Sequence, residues 1–284
     1  MDNKKEIYIV KANGERELFD SSKLENSLRK AGADSIAISN IIAKIKSNLK
    51  NEMTTIEIYR KAFRILNEVS LVPASKYSLK KAVMSLGPQG FVFEDFVGAV
   101  FKELGYKVLL RKNVKGICVS HEIDLIAQNE EKFIMAELKF HNRQGIKSDL
   151  KVILYVKERY DDIAKGEFYR NIDKNLKIEN WLITNTKFTS QAVKYAECNP
   201  DLNLMSWDYP PKGNLYELIG ETGLYPITVL SSLSSNDKKR FLAENVLLCK
   251  DLLEGGELLL SRLSISSEKQ QEVLREIEEL LKIK

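Results

Sequence analysis

Residues 117–141 read ICVSHEIDLIAQNEEKFIMAELKFH, with two apolar runs of strand length on either side of the polar stretch Gln128-Asn129-Glu130-Glu131. Runs this short and this apolar read as buried strands, and four polar residues between them make a tight connection. The chain therefore has to build a sheet core here. Ionisable side chains interrupt the pattern at Asp124, Glu137 and Lys139. Side chains two apart on a strand share a face, which puts Glu137 and Lys139 together. Asp124, on the preceding strand, is expected across the hairpin from them. Two carboxylates and a lysine in apolar strands carry a desolvation cost that a bound divalent cation would offset.

The residue types suit that cation. Mg²⁺ takes hard oxygen ligands, keeps several waters and needs only one or two carboxylates to be held at a phosphate. Asp124 and Glu137 are the expected ligands of Mg²⁺ (or Mn²⁺), with a backbone carbonyl between Glu137 and Lys139 as a third. Lys139 is expected to orient the attacking water or to stabilise charge on the phosphate. Glu94, in a helix predicted for 91–104, would complete the acidic cluster. A Glu-x-Lys pair alone is more often a surface ion pair. The ordered set of helix and three strands is what points to phosphodiester chemistry. His121 and His141 flank the site in sequence and are given an accessory role at most. No histidines or cysteines have zinc-ligand spacing.

That order resembles the PD-(D/E)XK restriction-endonuclease fold, particularly its Mrr-type branch, over about residues 88–208. The resemblance rests on Glu94, Asp124, Glu137 and Lys139, and on His121 three residues before Asp124. It continues in Trp181–Asn185, Phe188–Ala192 and Asn203–Trp207. Ile123 stands where the nominal motif has proline. The resemblance implies a mixed sheet flanked by helices, with Glu94, Asp124, Glu137 and Lys139 as catalytic residues of a metal-dependent DNA endonuclease.

The first 87 residues read differently. Asn13-Gly14 between two short apolar-rich runs marks a β-hairpin. Ser22-Lys-Leu-Glu25 reads as a capping box for a helix running to Gly32, and a second helix is expected over 35–49. Thr54-Thr-Ile-Glu57 caps a third helix to about Val69, and Pro73 starts a fourth that Gly87-Pro88 ends. This unit resembles the ATP-cone, a nucleotide-sensing domain known mainly from the front of ribonucleotide reductases. The matching residues are Val10–Gly14, Phe19, Lys23-Leu24, Ala31 and Tyr77–Lys81, with Ala12 where the family usually carries arginine. By that resemblance Lys11, Lys23 and Lys81 would meet a triphosphate, and Ile9, Glu17, Thr55 and Tyr77 would lie around the base and ribose. The chain has no GxxxxGK[ST] phosphate loop and no GxGxxG, so ATP or dATP is expected as an effector rather than as a fuel.

The domain reading is an ATP-cone over 1–87, a restriction-endonuclease-like domain over 88–210 and a helical region over 211–284. As a fold class this is α+β with an α/β element. The linker Gly87-Pro88-Gln89-Gly90 is short enough that a change in the cone is expected to reach Glu94. In the helical region, Lys238-Lys239-Arg240 could touch phosphates in the manner of a helix-hairpin-helix, with Glu244-Asn245 at the turn. A plain helical cap or dimerisation element is the stronger reading there, and the last helix, 268–284, suits a homodimer or higher oligomer. The net charge is only +4, which permits nucleic acid as a partner without predicting it. Three scattered cysteines and no apolar run of membrane length indicate a cytoplasmic protein without a membrane partner. The readings together give a nucleotide-regulated DNA endonuclease, placed in genome defence by analogy. The alternatives are a non-catalytic nucleotide-sensing DNA-binding regulator and an RNA-directed nuclease.

Overall fold

In the computed structural model, residues 6–262 and 265–281 are described. The first apolar runs form strands β1 (Tyr8–Val10) and β2 (Arg16–Leu18), paired antiparallel with Ile9 opposite Glu17. Lys11 N donates to Glu15 O at 2.8 Å and Gly14 N to Lys11 O at 2.9 Å, and only Gly14 of the Asn-Gly pair takes a positive φ, 85°. The loop is therefore longer than the two-residue turn that an Asn-Gly pair favours. Helix α1 (Ser21–Lys30) is capped by Asp20, which accepts from Ser22 N. The expected Ser22–Glu25 capping box is corrected here: Ser22 Oγ donates to the Asp20 carboxylate at 2.7 Å instead. An aspartate just before the helix satisfies the orphan N–H groups without a second partner.

Helix α2 (Ser35–Ser47) is capped by Asp34, and strand β3 (Met53–Thr54) pairs parallel to β1, a contact that two residues of strand could not announce in sequence. The capping box at Thr54 and Glu57 forms as read and opens α3 (Thr55–Val69). Helix α4 (Leu71–Met84) follows after Ser70. Leu24, Leu28, Ile38, Ile41, Ile45, Ile58, Ala62 and Leu66 close one core around Ile9.

The middle of the chain begins with α5 (Phe91–Glu103), which packs on β4 (Lys107–Lys115) and β5 (Ser120–Gln128). A Cβ at Gly98 would lie 3.1 Å from Leu110, so glycine lets the helix approach the sheet closely. Strand β6 (Lys132–Lys139) follows a turn in which Asn129 Oδ1 accepts from the N–H groups of Glu131 and Lys132. Next come β7 (Lys147–Ser148), α6 (Leu150–Lys165), the single turn α7 (Glu167–Arg170), β8 (Lys177–Thr184), β9 (Lys187–Phe188), α8 (Ser190–Glu197), β10 (Leu202–Met205) and α9 (Leu215–Thr222). The five-stranded sheet has the order β10-β8-β6-β5-β4. Strand β5 pairs antiparallel with both β4 and β6, whereas β6, β8 and β10 are mutually parallel. Ile153, Val156, Tyr160 and Ile163 of α6 recur at helical spacing and share a core with Ile123, Ile126, Met135 and Leu182 of the sheet.

Beyond a 3₁₀ turn at Ile227–Val229 lie α10 (Ser235–Ala243), α11 (Cys249–Arg262) and α12 (Ser267–Leu281). Asn245, at the turn read from Glu244-Asn245, adopts a left-handed φ of 59° between α10 and α11. Gly256 is non-helical within α11, and residues 282–284 of the expected last helix lie outside the described residues. Lys238 is half-buried rather than free for phosphate, and burial lowers its ammonium pKa while Glu276 opposes the shift. Glu276 itself accepts from Ser231 N at 2.6 Å and Ser232 N at 2.8 Å.

The fold is mixed α and β, as the sequence reading holds. By compactness, the described residues up to Ala82 group with those from Ile227 onward, and Val83–Pro226 form a second unit. A buried bond from Thr228 Oγ1 to Ala82 O, 2.8 Å, joins the two segments of the first unit. Among the described residues no helix is long and apolar enough to cross a membrane.

Candidate active site

The chemistry-bearing residues of the second unit sit where β5 and β6 part. Their pairing runs from Gln128–Phe133 to Leu125–Ala136 and stops there. At the next position the Asp124 carboxylate takes over the role of a backbone acceptor, with Oδ2 2.7 Å from Leu138 N. Strand β6 meanwhile continues along β8, pairing Glu137 with Leu182 and Lys139 with Thr184. The separation of one strand from a neighbour that stays paired opens room for side chains in an otherwise apolar sheet.

Glu137 and Asp124 are both part-buried. Burial, reinforced by the Asp124 charge, pushes the Glu137 carboxyl up to about 7, and Arg159 opposes that shift. Burial also raises Asp124, while the Leu138 N–H and Arg159 pull it down. Glu94 on α5 is only 8% exposed; burial raises it, its bond to Arg111 lowers it, and the Asp124 charge raises it again. Asp124 is thus within electrostatic reach of both Glu94 and Glu137. Lys139 is exposed at the strand end, and its charge acts on both Asp124 and Glu137. Asp124, Glu137 and Lys139 thus meet at one strand junction, and Glu94 is linked to them through the Asp124 charge.

Two arginines that the sequence reading passed over complete the site. Arg159 on α6 places Nη1 2.5 Å from Glu137 Oε2, and its other terminal nitrogen donates to the Glu122 carbonyl. Arg111 places Nη1 3.1 Å from Glu94 Oε2 and Nη2 2.8 Å from Asp95 Oδ1. Arg111 lies inside β4 with φ 53°, between the pairs Leu110–Leu125 and Lys112–Ile123, a left-handed conformation that costs a non-glycine residue on the order of 1 kcal/mol. For Arg159 a signal existed: a cation directly beside the apolar stripe of α6. For Arg111 the sequence holds none, because backbone handedness inside a strand leaves no mark in composition.

The histidines do not converge on the carboxylates. His121 Nε2 lies 2.7 Å from Asp162 Oδ2, and Asp162 also accepts from Cys118 N and Val119 N. The bond from His121 and the flanking N–H groups hold the Asp162 carboxyl well below its usual range. His141 contacts Ser148 Oγ at 3.1 Å, and burial followed by the nearby Lys139 charge keeps its imidazole below its usual pKa. Asn185 clamps the same segment, accepting from His141 N and donating to His141 O, each at 2.8 Å.

Among the described residues no group of three His, Cys, Asp or Glu side chains is gathered to hold a metal ion. The donors at the junction are nonetheless hard carboxylate oxygens that burial and mutual repulsion make costly to ionise. Such a pair fits a hard divalent cation that completes its shell with water.

In the first unit, Lys11 Nζ and Lys23 Nζ meet on one carboxylate oxygen, Glu17 Oε2, at 3.0 and 2.8 Å. Ile9 is buried on β1, and Thr55 opens α3 directly after the residue paired with Val10. Tyr77 stacks on Tyr59 with ring centroids 5.1 Å apart, and Lys81 Nζ lies 5.9 Å from the Tyr59 ring centroid. Tyr59 is a further residue of this cluster that the sequence reading did not single out.

An uncharacterized protein of Archaeoglobus fulgidus (strain ATCC 49558 / DSM 4304 / JCM 9628 / NBRC 100126 / VC-16) is 31% identical over 182 residues, which is 64% of this chain and 98% of that protein. Residues 225–281 match the model described as AF1548-like, C-terminal. The chain belongs to the AF1548-like family. The crystal structure of a protein of unknown function, AF1548, aligns with a TM-score of 0.53 at 29% identity, over 68% of this chain and 99% of that one. Residues 7–79 of this AF1548-like protein match the ATP cone domain, which makes the N-terminal module a nucleotide-binding one. A repair endonuclease from Pyrococcus abyssi aligns at 18% identity over 38% of this chain and 41% of that one, with a TM-score of 0.28, too low to bear on fold or function.

Proposed function

We propose that this protein is a Mg²⁺- or Mn²⁺-dependent DNA endonuclease of the PD-(D/E)XK type, regulated by ATP or dATP at its ATP cone. The observation that carries the reading is the part-buried Asp124–Glu137 pair, within reach of Lys139 and Glu94, at the point where β5 and β6 separate. A binding-only surface has no use for such a pair, since carboxylates repel a phosphate backbone unless a cation lies between them. The nuclease domain is taken as 88–210 and the helical region as 211–284.

In this reading Asp124 and Glu137 hold the divalent cation. When bound, it supplies charge neutralisation at the phosphate and a more acidic water. Lys139 contributes a mobile ammonium that orients the attacking water or the phosphate oxygen it approaches. Glu94 completes the acidic cluster behind Asp124. Lys11, Lys23 and Lys81 meet the triphosphate of the effector, while Ile9, Glu17, Thr55 and Tyr77 surround its nucleoside.

The test is cleavage of supercoiled plasmid by the purified full chain with Mg²⁺ or Mn²⁺, with and without ATP or dATP, beside Asp124→Ala. Metal-dependent nicking or linearisation that the substitution abolishes is expected. Intact plasmid under every condition, with a labelled RNA duplex degraded instead, would move the substrate to RNA. Neither substrate cut, with duplex DNA still bound, would favour a non-catalytic regulator.

A further inference from the structure

The Glu137 carboxylate pairs with the Arg159 guanidinium, 2.5 Å away, which also donates to the Glu122 carbonyl. Its side chain is 15% exposed and that of Glu137 20%, so this ion pair is largely shielded from solvent. The helix that bears it is fixed: Ile153, Val156, Tyr160 and Ile163 anchor α6 in the core. The guanidinium already lies against the Tyr155 ring, 5.4 Å from its Cζ, a surface that can keep it beside the site once it leaves Glu137. A guanidinium and a divalent cation compete for one carboxylate oxygen. Once displaced from Glu137, the guanidinium remains tethered beside the cation, and its planar fork matches two oxygens of a phosphate.

We propose that Arg159 is a phosphate-binding residue held in reserve on Glu137. It is delivered to the substrate phosphate when a divalent cation takes that carboxylate. This rests on reading Asp124 and Glu137 as the metal site. Metal and DNA then assist each other, because the cation releases the arginine and the arginine adds a contact to the DNA. Without DNA the arginine weakens metal binding, since it must be displaced first.

The experiment is Mn²⁺ titration calorimetry of the DNA-free full chain, followed by binding of a short DNA duplex in Ca²⁺ and in EDTA. Glu137→Gln is expected to lose Mn²⁺ binding, whereas Arg159→Gln is expected to bind Mn²⁺ about tenfold more tightly than the wild type. Ca²⁺ should raise duplex affinity in the wild type and much less in Arg159→Gln, whose salt slope should fall by about one. Loss of Mn²⁺ binding in Glu137→Gln with no tightening in Arg159→Gln, or an undiminished Ca²⁺ gain in the latter, would overturn the role of Arg159 alone. Wild-type Mn²⁺ binding in Glu137→Gln would instead remove the metal-site reading. Circular dichroism checks that each variant is folded. If Arg159→Gln is not, Arg159→Lys carries the test: the charge is kept, so Mn²⁺ affinity should stay near wild type, while the bidentate contact is lost and the Ca²⁺ gain should shrink. A full Ca²⁺ gain in the lysine variant would overturn the proposal.

Discussion

Asp124 Oδ2 accepts a 2.7 Å hydrogen bond from Leu138 N where β5 and β6 part, so the carboxylate that we propose as a metal ligand also ends a strand ladder. The two roles can be separated by substitution. Asp124→Asn keeps an acceptor for Leu138 N, and its stability should lie within about 0.5 kcal/mol of wild type. Asp124→Ala leaves that N–H unpaired and should cost about 1–3 kcal/mol. Both should lose cleavage by a factor on the order of 100 or more if Asp124 holds the metal. Urea denaturation beside the plasmid assay reads both effects, and an alanine variant as stable as the asparagine one would show that the bond contributes little.

The Glu137 carboxyl gives a pH signature. Burial and the Asp124 charge lift it to about 7 from an ordinary 4.5. The folded state therefore binds this proton more tightly than the unfolded chain does. That contribution to stability is complete below pH 4.5 and is lost as pH rises through about 7. Asp124 and Glu94, which burial also raises, add slopes of the same sign, whereas His141, held low by burial, adds one of opposite sign. In chelator, the thermal midpoint of the wild type should fall between pH 5 and 7.5 relative to Glu137→Gln. The difference between the two curves isolates this carboxyl, and Mg²⁺ should shrink it by supplying the missing charge. Parallel curves would mean that Glu137 titrates normally.

The strands and the acidic residues were legible because burial period and charge are both written in the sequence: an aspartate and a glutamate inside apolar runs stand out. Their partners were not. Arg159 and Glu137 are 22 residues apart and meet only because α6 folds back along the sheet. The left-handed turn at Arg111 is a backbone property, and β3 is too short to show a period. The capping box at Thr54 could be read because it is local, and even so the similar pattern at Ser22 yielded to Asp20. The grouping of Ala82 with Thr228, 146 residues apart, could not have been read at all.

In the cone, Lys11 and Lys23 share Glu17 Oε2, which holds two ammonium groups at one place. The bond to Glu17 is the main reason that the Lys11 pKa is raised, and the bond to Lys23 the main reason that the Glu17 pKa is lowered. A triphosphate arriving there exchanges one carboxylate for several phosphate oxygens. Lys11→Met and Lys23→Met should each weaken ATP binding about five- to tenfold in titration calorimetry, with Lys44→Met as an unaffected control. Equal affinities in all three variants would place the nucleotide elsewhere on the cone.

Two glycines predict opposite signs for one substitution. Gly166 links α6 to α7 at φ −80°, so its backbone is open to any residue, and space is what forbids a side chain. A Cβ there would lie 2.7 Å from Lys115 O and 3.0 Å from Gly116 C, both backbone atoms with little freedom to retreat. That end of β4 is itself held, since Gly116 N donates to Val119 O at 2.8 Å and Ile117 N to Asp162 O at 3.1 Å. Gly166→Ala should therefore cost about 1–3 kcal/mol. Gly220, inside α9, meets nothing within 4 Å, and there alanine only removes conformational freedom from the unfolded chain. Gly220→Ala should stabilise by about 0.4–1 kcal/mol. Thermal melts of the two variants at one pH decide the matter: a shift of the same sign in both would mean that the close approach of α6 to the end of β4 relaxes freely.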